Sequence, residues 1–165
     1  MIGFKKPLPA ALLGLGLCFL LTGCPYRAAV PLAAPSNPVD PRLVGSWRED
    51  SSSSSPLYTV QPEGTQEYRV LSDGDTGSTS FRAHLTLVGD QWFLNLRDSG
   101  GGPFYSLFRI DIAIDGTSFT LYPVTENITE TFSKSSDLMT FVQQNQGLSF
   151  FFEKPTRYVR ASASP

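Results

Sequence analysis

The chain has 165 residues, with 13 Lys and Arg against 15 Asp and Glu, one His and two Cys, which bounds it to one modest domain. A formal charge of −2 excludes the broad basic surface of a nucleic-acid binder, and two cysteines support neither a disulfide scaffold nor a thiolate zinc cluster. Hydrophobic residues at 41% supply a core, and charged residues at 17% are too few for a disordered acidic chain or a coiled coil.

Lys5 and Lys6 precede an apolar run, residues 7–21, which leads to Thr22, Gly23 and Cys24, the three regions of a secretory signal in order. Fifteen apolar residues are short of the roughly 20 that a membrane span needs. Leu21-Thr22-Gly23-Cys24 resembles the lipobox of bacterial lipoproteins. That resemblance implies removal of residues 1–23 as a signal peptide, acylation of Cys24 (diacylglycerol on its thiol, a further acyl chain such as palmitate on its new amine) and attachment to a membrane. Several acyl chains hold permanently where one does not, because each buried CH₂ contributes about 0.8 kcal/mol. The mature chain then has 11 basic and 15 acidic groups over 142 residues and no free thiol, as suits an oxidising cell envelope. In that family an Asp after the acylated Cys favours the inner membrane; Pro25 and Tyr26 stand here, which points to the outer membrane.

Residues 24–41 carry Pro25, Pro31, Pro35, Pro38 and Pro41 with almost no charge, and read as an extended tether. At about 3.1 Å per residue such a tether reaches roughly 50 Å and holds the following domain, residues 42–161, clear of the bilayer. The serines at 51–55 read as a loop. Phe81, Ala83, Leu85 and Leu87 alternate with Arg82, His84 and Thr86, Gly89-Asp90 turns the chain, and Trp92, Leu94 and Leu96 alternate in return: a hairpin. Phe104, Phe108, Ile110, Ile112 and Ile114 form the next strand, and Asp115-Gly116 predicts a tight turn onto Phe119 and Leu121. Weaker strands fall at 43–49, 57–61, 67–71, 148–152 and 156–160. Leu138, Phe141 and Val142 share a helical face, Ser135 or Ser136 can cap it and Gly147 can end it, so one short helix is predicted near 136–146, packing on or plugging the sheet. The expected class is mainly β: an antiparallel barrel or strongly curved sheet with that helix.

Leu43-Val44-Gly45-Ser46-Trp47 resembles the Gly-x-Trp opening of lipocalin-like barrels, in which the Trp packs at the barrel floor and an Arg near the last strand lies across its indole. Arg157 or Arg160 is placed to supply that Arg, and Arg160 is taken as the partner of Trp47. The order of elements from Leu43 to Arg160 is also similar to small bacterial proteins of unassigned function, which brings no activity with it.

Chemistry is sparse. His84 is the single histidine and sits on the solvent phase of its strand, so no catalytic triad or His-based metal site follows. Asp73 and Asp75 resemble a calcium loop, but the position that needs Glu holds His84. Asp111 with Glu126 or Glu130 would serve a carboxylate hydrolase, though nothing in the sequence brings them together. Phe150-Phe151-Phe152 gives a strand two apolar faces, the second expected to be covered by the helix around Leu138 and Phe141; the alternative is that Phe93, Tyr105 and Phe151 mark an interaction surface or cavity mouth. The reading is a non-catalytic envelope lipoprotein with no cofactor and no metal. Its partners are the membrane through its lipid and either an envelope protein or a small apolar ligand; an aromatic-rich chain this short is expected to fill its own barrel. The alternatives are a carboxylate hydrolase and an envelope inhibitor or immunity-type protein.

Overall fold

Alternation of large apolar with polar residues dictates a sheet with a buried face, and closing that sheet removes its exposed edges. The computed structural model describes residues 25–51, 55–74 and 77–161. It is mainly β, a closed lipocalin-like barrel with one helix. The eight barrel strands are β2 (Gly45–Glu49), β3 (Leu57–Glu63), β4 (Glu67–Gly74), β5 (Gly77–Val88), β6 (Gln91–Asp98), β7 (Tyr105–Ile112), β8 (Ser118–Pro123) and β9 (Thr156–Arg160). Each pairs antiparallel with its neighbour in sequence, and β9 returns to pair with β2, closing the ring. A two-residue strand, β1 (Arg27–Ala28), pairs with the start of β7.

Gly89 and Asp90 form the expected two-residue turn, with Val88 opposite Gln91 and Gly89 at a φ of 65°. The second hairpin is wider than predicted. Ala113 and Ser118 are still hydrogen-bonded across it, and Asp115 bends inside the loop to accept from the Thr117 amide at 3.0 Å and the Thr117 hydroxyl at 2.8 Å. An Asp side chain that caps the backbone two residues on favours a longer loop over a two-residue turn.

The single helix, α1 (Ser135–Asn145), lies where its periodicity placed it, although Lys134 stands at the N-cap and makes no side-chain capping bond. It packs on the outside of the barrel, with Leu138 and Val142 fully buried, and does not plug it. The barrel wall therefore separates two cores. Leu43, Trp47, Val60, Tyr68, Ala83, Leu85, Ile110 and Phe119 lie within; Tyr26, Ala28, Leu32, Val88, Phe93, Leu107, Val124, Leu138, Val142 and Phe151 lie without. β6 shows the division, sending Leu94 and Leu96 inward and Phe93 and Asn95 outward.

Two expectations are corrected by that outer core. Residues 148–152 form turns and a single bridge, Val124 to Phe152, and not a strand. The proline-rich segment is laid along the wall and not extended into solvent: Tyr26, Ala28 and Leu32 are buried, and β1 adds to the sheet. Prolines cannot donate ladder bonds, but the residues between them do. Tyr26 N–H donates to the Val124 carbonyl at 2.8 Å, Leu32 N–H to Asn95 Oδ1 at 2.8 Å and Val39 N–H to the Thr65 carbonyl at 2.9 Å.

Candidate functional site in the barrel interior

Trp47 closes one end of the barrel. Its side chain is wholly buried, its Nε1–H donates to the Leu43 carbonyl at 2.8 Å, and its ring meets Phe119 edge-on at 4.8 Å. Trp47 pairs directly with Arg160, so both side chains leave the sheet on the same side. The guanidinium lies 4.6 Å from the Trp47 ring. It donates to three backbone carbonyls, those of Gly116 at 2.8 Å, Val44 at 3.1 Å and Arg42 at 3.1 Å. Three chain segments are thereby tied under one indole. Arg157 does not share this role: it pairs with Thr120 and points toward Asp50, 3.5 Å away.

Above Leu43 and Phe119 the interior is not filled. A cavity of about 260 Å³ is lined by apolar side chains, among them Val60, Val70, Phe81, Leu94, Leu96, Phe108 and Leu121. The expectation of a self-filled barrel is corrected here. Many of the large aromatics went to the outer core or the floor, and small inward residues such as Ala83, Val60 and Val70 leave space among the larger ones. The polar atoms on the lining side chains are the hydroxyls of Tyr58, Tyr68 and Tyr158. Burial pushes all three phenols above their ordinary value, most strongly Tyr158, so each stays neutral and able to donate. Tyr68 is engaged from below, accepting from the Asp40 amide at 2.6 Å. Tyr158 stacks on Phe119 at 5.0 Å and meets Tyr58 edge-on at 5.6 Å, which fixes both rings against the lumen.

The residues proposed as an interaction surface do not form one. Phe93 and Phe151 are 0% and 2% exposed in the outer core, and Tyr105 is half-buried against that core with Arg97 over its ring at 5.3 Å. The outward apolar face is covered by α1 and by the N-terminal segment. His84 is also corrected, from a solvent-facing rim residue to a buried one. Its Nε2 lies 2.8 Å from the Ala33 carbonyl, and burial lowers its pKa against weaker opposing effects of that hydrogen bond and of Glu67. Asn95 is wholly buried beside it, accepting from Leu32 and donating to Thr86 Oγ1 at 3.0 Å. The sequence does carry a signal for this knot: His84, Thr86 and Asn95 fall on one outward row, opposite a segment with Tyr26 and Leu32 among its prolines.

Cys24 and Asp75 lie outside the described residues. Asp73 is exposed and bonded to Ser78, and among the described residues no three His, Cys, Asp or Glu side chains gather as a metal site. Asp111 faces Arg109 at 3.5 Å on β7, whereas Glu126 and Glu130 are exposed on the segment before α1. Compared with known proteins, the sequence matches no family model, no curated protein and no solved structure.

Proposed function

We propose that this protein is a lipid-anchored envelope lipoprotein, held at the outer membrane through Cys24, whose barrel binds a small apolar molecule without catalysis. The cavity of about 260 Å³ carries the reading. An apolar cavity of about 150 Å³ already stays dry and takes up benzene, so a larger one accepts a bigger hydrocarbon skeleton. Tyr158 offers its hydroxyl for one polar group on the ligand, the Tyr58 hydroxyl being hydrogen-bonded to the Ser72 side chain.

Native mass spectrometry of the chain purified gently from envelopes, with a titration of the apolar dye N-phenyl-1-naphthylamine, tests this. The expected result is a co-purifying small mass, or saturable dye uptake that the natural ligand displaces. A bare mass together with no saturable uptake overturns it.

A further inference from the structure

The N-terminal segment places Pro25, the residue after Cys24, at one end of the barrel. Pro25 lines a groove of about 310 Å³ together with Arg27, Gly102 and Phe104. Phe81 and Leu96 line both this groove and the inner cavity, so the chain enters at the barrel rim opposite Trp47. It is held there by the Tyr26 amide on Val124, by the Tyr26 hydroxyl on the Glu130 carbonyl at 2.7 Å, and by β1 on β7. The same rim presents Phe104, 41% exposed, with the Arg27 guanidinium 5.0 Å from its ring. An aromatic ring beside a cation is a pairing suited to the interface of a bilayer.

We propose that this rim, centred on Pro25, Arg27 and Phe104, is the surface that lies against the lipid bilayer, so that the barrel mouth faces the membrane. The proposal rests on the reading of Cys24 as acylated. That anchor is bonded directly to Pro25, a residue of the groove itself, against the roughly 50 Å that a free tether would allow. The opposite end also exposes apolar side chains, Ile114 at 95% and Leu87 at 46%. Eight-residue strands tilted as in a barrel set that end roughly 20 Å farther from the anchor, beyond its reach while β1 stays paired. The ligand of the cavity is then exchanged with the bilayer and not with the envelope fluid.

The test uses the full mature chain extracted from membranes and returned to vesicles of phosphatidylcholine and phosphatidylglycerol carrying nitroxide-labelled lipid. An acylated Cys24 is blocked as a thioether, so Phe104→Cys and Ile114→Cys each offer one reactive thiol for a fluorophore. Gly102→Cys is a second rim position, where a Cβ meets Asp98 Cβ at an ordinary 3.5 Å. The expected result is quenching by the nitroxide lipid several-fold stronger at 104 and 102 than at 114. Equal quenching, or stronger quenching at 114, overturns the orientation while the anchor stands. An intact mass without acyl groups, with Cys24 open to maleimide and no vesicle association, overturns the anchor reading and this proposal with it.

Discussion

Gly45 is the residue on which the barrel floor turns. Its φ of 137° disfavours any side chain, and a Cβ there would sit 2.5 Å from the Arg160 guanidinium nitrogen. Gly45→Ala is therefore expected to displace Arg160 from the Trp47 face and from its three carbonyls. Trp47→Ala removes the wholly buried indole itself and is expected to lower stability by about 3 to 5 kcal/mol in chemical denaturation. Arg160→Ala should cost less, about 1 to 2 kcal/mol, since a stacked cation and hydrogen bonds at an exposed site contribute modestly. If Gly45→Ala acts through Arg160, the two substitutions together cost clearly less than the sum of their separate effects. Additive costs would sever that link. The Gly-x-Trp pattern is local and so was legible in the sequence. The choice between Arg157 and Arg160 depended on the register between β2 and β9, which are more than 100 residues apart, and no local pattern carries it.

At the scale of elements, the N-terminal segment is latched by a buried polar knot. Asn95→Ala would leave the Leu32 amide buried without an acceptor, at a cost of about 1 to 3 kcal/mol, and should speed hydrogen exchange at Leu32 before any exchange in β5. His84 adds a pH dependence. Its folded pKa is depressed below 6.5, chiefly by burial, so at mildly acid pH the unfolded chain binds the proton more readily. Stability is then complete above about pH 6.5 and declines as pH falls toward the depressed folded value, and His84→Gln should flatten this slope in denaturation measured from pH 7.5 to 5. A slope that His84→Gln leaves intact would assign the dependence elsewhere. The strands and α1 were legible because alternation and helical spacing are read within ten residues. The latch was not, because proline content describes what a segment cannot bond to and is silent on the wall that Tyr26, Leu32 and Val39 do bond to. Residues 148–152 misled for a related reason: three consecutive Phe satisfy strand propensity, yet Phe151 is buried in the outer core while Phe150 is 71% exposed.

For the whole molecule, the number of strands and the size of their inward side chains decide whether the barrel is filled or hollow. Closure at eight strands leaves an interior that side chains can just occupy, and here Ala83, Val60 and Val70 fall short of doing so. Composition does not carry that outcome, because many of the 20 aromatic residues serve a second core outside the wall. The cavity can be closed by substitution from within. Leu94 lies on β6, inward in the cavity lining, between Leu85 on β5 and Phe108 on β7. Leu94→Phe adds a ring to that lining in a space of about 260 Å³, with room to settle into a relaxed rotamer. If the hollow is a binding site, the variant should bind N-phenyl-1-naphthylamine at least tenfold more weakly while its melting temperature stays level or rises by a few degrees. If the dye binds the variant as well as the parent, the apolar site lies on the outer surface, at Phe150 or Ile114, and the barrel interior has no part in binding. A fall in both binding and melting temperature would instead mean that the added ring had forced the wall apart. In that event Leu94→Met, close in volume to the parent, should restore both, because it leaves the hollow as it was.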